Sequence, residues 1–135
     1  MKRIGLAAAP VALLIIMLLS ACGKTPGNGN TTPGGGAPAN TVEMSATDFV
    51  QHALTVKAGD TVHFSDPSST GGTHVLCLGH NETCNKTATG PAKFADPGVT
   101  VNPGDPTLDV VFPTAGTYEI TCTVHQNMNV TITVQ

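Results

Sequence analysis

The chain has 135 residues, enough for one domain with one modest core. Six Lys and Arg stand against nine Asp and Glu, for a formal net charge of −3. Neutralising phosphates needs clustered Lys and Arg, and their scarcity here disfavours a nucleic-acid-binding role.

Lys2 and Arg3 precede an apolar run from Ile4 to Leu19 that is broken only by Gly5 and Pro10. A basic start followed by such a run is the pattern of an export signal. The run is shorter than the roughly 20 residues of a membrane-spanning helix. The next segment, Leu19-Ser20-Ala21-Cys22, resembles the lipobox of bacterial lipoproteins. That resemblance implies removal of residues 1–21, lipid on Cys22, and an exported protein anchored at the cell envelope on a periplasmic or extracellular face. Acyl chains supply about 0.8 kcal/mol per buried CH₂, so several of them hold a protein at a membrane surface. The mature chain keeps Lys24, Lys57, Lys86 and Lys93 against nine carboxylates, a net charge of −5.

Residues 22–40 form the next unit. From Gly23 to Asn40 the sequence is Gly, Pro, Asn, Thr and Ala with a single lysine, and it holds no large apolar residue that could order a backbone. It reads as a tether that lets the domain sit a few nanometres from the lipid, on random-coil scaling of roughly 5–6 Å × √n.

Residues 41–135 read as the folded domain, and the pattern there is all-β. Val42, Met44 and Ala46 alternate in a first strand. Leu54 and Val56 follow, then a turn at Lys57-Ala58-Gly59-Asp60 and an inward pair at Val62 and Phe64. Val75, Leu76 and Leu78 belong to another strand. The long polar segment from Gly79 to Thr107 carries Pro91, Pro97, Pro103 and Pro106 and is predicted not to be continuous sheet. Alternation resumes at Leu108, Val110 and Phe112. After a turn at Pro113 to Gly116, Tyr118, Ile120 and Cys122 share one face, and Val130, Ile132 and Val134 close the chain. Seven to eight strands of this length predict a two-sheet sandwich. Its expected larger core fillers are Phe49, Phe64, Phe112 and Tyr118.

Four cysteines are present. With Cys22 committed to lipid, Cys77, Cys84 and Cys122 remain, and three cannot all pair. Cys77 and Cys84 are the natural disulfide, because the loop between them is short and rich in turn residues. A pairing of Cys77 with Cys122 is the competing possibility, and a redox or second metal role for Cys77 and Cys84 is another.

Cys122-Thr123-Val124-His125-Gln126-Asn127-Met128 sets a thiol, an imidazole and a thioether at i, i+3 and i+6, from the end of one strand into the loop before the last. One upstream histidine completes a four-ligand site, and His74 sits at the start of the Val75 strand. His52, His63 and His80 compete for that place. His63 alternates with Val62 and Phe64 and so should face outward, His52 lies in a turn, and His80 is expected at the rim of the site. A thiolate, two imidazoles and a weak axial thioether select copper, in a site that suits both Cu(I) and Cu(II).

Here the domain resembles the cupredoxin family, the blue copper proteins of plastocyanin, amicyanin and azurin type. The matching segments are Leu54 to Phe64, then His74, then Phe112 to His125, and the Cys-x₂-His-x₂-Met spacing is similar to the short ligand loop of amicyanins. The resemblance implies a Greek-key sandwich with one copper ion near one end. It further implies Cys122, His125 and His74 as equatorial ligands, Met128 as the axial ligand, and His125 as the solvent edge through which electrons pass. Val75 stands where family members commonly carry Asn after the first histidine, and Gln126 and Asn127 replace Pro and apolar residues of the loop.

The expected function is one-electron transfer between a redox donor and acceptor by a monomer held at a membrane through its lipid. No catalytic residue is expected, because metal catalysis requires an open coordination position. Copper capture or delivery through the same ligands is the alternative, and a zinc-bound or metal-free interaction domain is a third reading.

Overall fold

Period-two alternation becomes strand wherever hydrogen-bonding partners exist on both sides, and the computed structural model shows where they do. It describes residues 38–135. The expected leader, Cys22 and nearly all of the tether lie outside the described residues. The strands are β1 (Thr41–Glu43), β2 (Ala53–Val56), β3 (Thr61–Ser65), β4 (His74–His80), β5 (Thr83–Cys84), β6 (Val99–Val101), β7 (Leu108–Val111), β8 (Gly116–Cys122) and β9 (Asn129–Val134).

They form two sheets. One runs β1-β3-β7, and the other runs β2-β9-β8-β4-β5 with β6 also on the edge of β4. β1 lies parallel to β3 and β2 parallel to β9, whereas the remaining pairs are antiparallel. The all-β sandwich is therefore as expected, and two short strands, β5 and β6, raise the count to nine among the described residues. Both lie in the proline-rich segment after Gly79. Each is only two or three residues long and borrows its partner from β4, too little for alternation to show in the sequence.

Inward residues of the two sheets meet in one apolar core containing Val42, Val62, Phe64, Leu76, Phe112, Ile120 and Ile132, all at 0% exposure. The first strand is shorter than its alternation suggested. Val42 and Met44 are buried, but Ala46 is exposed, because the chain leaves the sheet at Ser45 and turns. The Ser45 N–H donates to the Asp48 carbonyl at 2.8 Å, and Met44 then bridges to Phe49. The turn at Lys57–Asp60 is as predicted: Asp60 N–H reaches the Lys57 carbonyl at 3.0 Å, and Gly59 takes φ 91°.

A filler absent from the sequence reading is Phe94. It sits on a single 3-10 turn, Ala92–Phe94, at 0% exposure, with its ring edge-on to Phe64 at 5.1 Å. Burying such a side chain contributes about 1.5–3 kcal/mol, so the irregular segment is part of the core. Tyr118 lies at the core's margin instead, edge-on to Phe112 at 5.2 Å, with its hydroxyl donating to the Thr114 carbonyl at 2.8 Å.

Candidate metal centre

Cys122 is the last residue of β8 and pairs with Leu76 of β4. Alternation puts both on the inner face, and His74, two residues before Leu76, shares it. Past Cys122 the chain makes a tight loop and returns as β9. The loop is tied at its base by the Cys122 N–H, which donates to the Met128 carbonyl at 3.0 Å. Asn127 adopts φ 58°, a left-handed conformation that Asn tolerates better than most residues. It turns the chain so that Met128 comes back at 0% exposure. Gln126 and Asn127 are exposed, so the polar pair forms the outside of the loop.

The structure brings His74, Cys122 and His125 together, and His125 is the half-buried member. Sγ of Cys122 lies 3.8 Å from Nδ1 of His74 and 3.6 Å from Nδ1 of His125, and the two ring nitrogens are 3.2 Å apart. The circumradius of a triangle with these sides is about 2.1 Å, close to the roughly 2.0–2.3 Å at which first-row metals hold imidazole nitrogen and thiolate sulfur. Three soft or borderline donors at that spacing fit a trigonal copper site. Met128 is buried, and its carbonyl is bonded to the Cys122 N–H.

The tautomer of His74 is fixed by its surroundings. Its Nε2 is 3.1 Å from the Ser45 carbonyl, an acceptor only, so Nε2 carries the proton and Nδ1 presents a lone pair to the triangle. Burial, and secondarily the neighbouring His125, push the His74 pKa below its ordinary 6.5, while the Ser45 bond opposes them. The ring is thereby held neutral, the form that ligates. Behind it, Oδ1 of Asp66 lies 3.9 Å from Nε2, and neither carboxylate oxygen reaches a hydrogen-bond partner. Burial raises the Asp66 pKa, the nearby Gly72 N–H, which falls short of hydrogen-bond geometry, draws it partway back, and Asp105 adds a smaller rise. A side chain on Gly71 would overlap this carboxylate, so Gly71 is what admits it, while a side chain on Gly72 would meet the Ala46 backbone. Ser45 and Asp66 were not picked out from the sequence, where the one reads as a turn residue and the other as a charge before a proline.

The remaining histidines lie elsewhere. His63 pairs with Asp109 across β3 and β7 at 2.7 Å, facing outward as expected. His52 is exposed, with Nδ1 3.2 Å from the Asn129 carbonyl. His80, expected at the rim, instead ends β4 on the outer surface, 3.8 Å from Glu119. Glu119 faces the opposite side of β8 from Cys122, so the sheet separates His80 from the triangle. Cys77 and Cys84 form a disulfide, and among the described residues Cys122 is the free, buried thiol. Val75, the residue after His74, couples the two ligand segments through backbone, its carbonyl accepting the Thr123 N–H at 2.9 Å.

A two-sheet β-sandwich with a Cys, His, His donor triangle at one end is the build of a cupredoxin. The chain belongs to the plastocyanin/azurin family of copper binding proteins, whose family model matches residues 37–135. Its cofactor is copper. Among solved structures, amicyanin from Paracoccus versutus (Thiobacillus versutus) aligns with a TM-score of 0.52 at 20% identity, over 74% of this chain and 84% of that one. The reduced Cu(I) form at pH 4 of an amicyanin variant aligns with a TM-score of 0.52 at 21% identity, over 74% and 85%. At such identities the likeness is one of fold. A sequence comparison with curated proteins finds no match.

The lowered pKa of His74 has a consequence for the metal-free protein. Its full contribution to stability is present above 6.5 and is lost as the pH falls from there through the folded value, because the unfolded chain takes up the proton first. Asp66, raised above 3.8, acts in the opposite sense. Melting curves of metal-free wild type and His74→Gln from neutral pH to about pH 5 separate the two. Wild type is expected to lose more stability over that range than the variant, and equal losses would refute the assignment.

Proposed function

We propose that the protein is a one-electron carrier, exchanging electrons with separate redox proteins by outer-sphere transfer while lipid on Cys22 tethers it at the outer face of a membrane. The observation that carries this reading is the donor triangle, buried at His74 and Cys122 and half-open to solvent at His125. Copper held there supplies a reversible couple between Cu(I) and Cu(II). The chain keeps the donors in place: the Ser45 carbonyl fixes the His74 ring, and the Cys122 N–H to Met128 bond fixes the loop. Donors that do not move between oxidation states keep the reorganisation on electron arrival small. His125, the ring nearest solvent, offers a partner the shortest path.

Were the Met128 thioether to serve as the fourth donor, no coordination position would be left for a substrate. That supports a carrier over an enzyme, since metal catalysis needs an open site. The tether and location rest on the sequence from Lys2 to Asn40: a basic start, a short apolar run, the Leu19-Ser20-Ala21-Cys22 segment and a Gly/Pro-rich linker.

Two measurements test the proposal. Voltammetry of the copper-loaded protein should give a reversible one-electron wave, with copper retained through repeated cycles in the presence of a Cu(I) chelator. Transfer of the metal to the chelator on each reduction would point to copper delivery instead. Cell fractionation should find the wild-type chain with the membranes and Cys22→Ser in the soluble fraction; a wild-type chain already soluble would rule out the lipid tether.

A further inference from the structure

The disulfide-bearing β4–β5 hairpin does not project into solvent. Its two-residue loop, Asn81-Glu82, joins the pair His80 and Thr83, and the tip lies back over the outer face of β8 and β9. There it meets the last rung of the β8–β9 ladder, the pair Thr121 and Asn129. From this rung the ligand loop springs, with Cys122 following Thr121 and Met128 preceding Asn129.

Three hydrogen bonds make the contact. The Asn129 carboxamide grips Asn81 twice: Oδ1 accepts the Asn81 N–H and Nδ2 donates to the Asn81 Oδ1, both at 2.9 Å. The Glu82 N–H donates to the Thr121 hydroxyl at 3.0 Å. That hydroxyl, at 0% exposure, passes its own proton to the Met128 carbonyl at 3.3 Å. The same carbonyl accepts from the Cys122 N–H. A chain of bonds therefore runs from the hairpin tip to the backbone of two copper-ligand positions.

The hairpin tip is also strained. Asn81 and Glu82 have φ of 45° and 65°, the left-handed pair of a tight hairpin turn that usually carries Gly at its second position. Glu is poorly suited to this conformation. Such outliers persist where their surroundings over-determine them, and here Glu82 is held by the hydroxyl of Thr121. Cys77 and Cys84 staple the hairpin seven residues apart, close behind its tip.

We infer that Asn81 and Thr121 are positioning residues for the copper loop: the stapled hairpin clamps the rung that sets the spacing of Cys122 and Met128. This rests on the copper reading above and assigns a role to the segment after Cys77. It places the clamp outside the sheet, where Val75 leaves no side-chain latch inside it.

The test uses the full-length chain. Asn81→Gly keeps the left-handed turn but removes the acceptor for Asn129, and Asn81→Asp restores that acceptor. Thr121→Val removes both hydroxyl bonds, and Thr121→Ser restores them. Asn81→Gly and Thr121→Val should release Cu(I) to a chelator about fivefold to tenfold faster, the effect of one modest hydrogen bond. They should also shift the thiolate-to-copper absorption band, and Asn81→Asp and Thr121→Ser should return both readouts to wild type. In copper-free protein, the Cys122 amide should exchange with solvent faster in the first pair only. Wild-type release, wild-type band and wild-type amide protection in folded Asn81→Gly and Thr121→Val would overturn the inference and leave the hairpin as a cover. A wild-type chain that takes up no copper would instead overturn the copper reading, and the amide exchange alone would decide the clamp.

Discussion

The register between β4 and β8 is the constraint on which the metal centre depends. Leu76 faces Cys122, so Cys122 and His74 lie on the inner face, and Thr121 faces out. A slip of one residue would turn Cys122 to the outer surface and Thr121 into the core. The slip is opposed by the inward residues of β8, since Ile120 and Cys122 would leave the core together and Tyr118 would leave its margin. At about 1.5–3 kcal/mol for each large apolar side chain, the hydrophobic pattern holds the ligands in register more strongly than any single polar contact. The apolar residues of the sandwich and the donors of the metal share one set of strand positions.

The donor triangle gathers two imidazoles that would repel each other if both were charged. Two imidazoles with nitrogens 3.2 Å apart cannot both be protonated without cost. Burial and the fixed proton on Nε2 keep His74 neutral, and its Nδ1 turns a lone pair toward the triangle. Asp66, enclosed behind His74 without a hydrogen-bond partner for either oxygen, is the one buried carboxyl next to a ligand among the described residues. A buried polar group of this kind is costly to leave unpaired. The fold admits it because Gly71 brings bare backbone against the carboxylate.

Much of this was legible in the sequence, for a physical reason in each case. Strands with one buried face must alternate, and Val62 with Phe64, Tyr118 through Cys122, and Val130 through Val134 do so. A metal loop must return its donors to one point, and the Cys122, His125, Met128 spacing carries that requirement locally. His74 could be joined to them because it opens an apolar strand. The structure shows in addition what spacing does not encode. Phe94, Ser45 and Asp66 act at the core or site from turns, where no periodicity marks an inward residue. The segment after Gly79 read as irregular because its strands are short and depend on β4. The clamp of Asn81 and Glu82 on Asn129 and Thr121 joins residues about 40 or more positions apart, through polar side chains that look like loop composition. His80 was misplaced for a related reason: a disulfide between Cys77 and Cys84 keeps the hairpin compact but does not say over which face it folds.

The most direct measurement is the absorption spectrum of the purified full-length protein titrated with Cu(II), beside that of Cys122→Ser. The triangle predicts an intense thiolate-to-copper band that saturates at one copper per chain and is absent from Cys122→Ser. No band in the wild type, or a band that survives the loss of Cys122, would contradict the placement of copper among His74, Cys122 and His125.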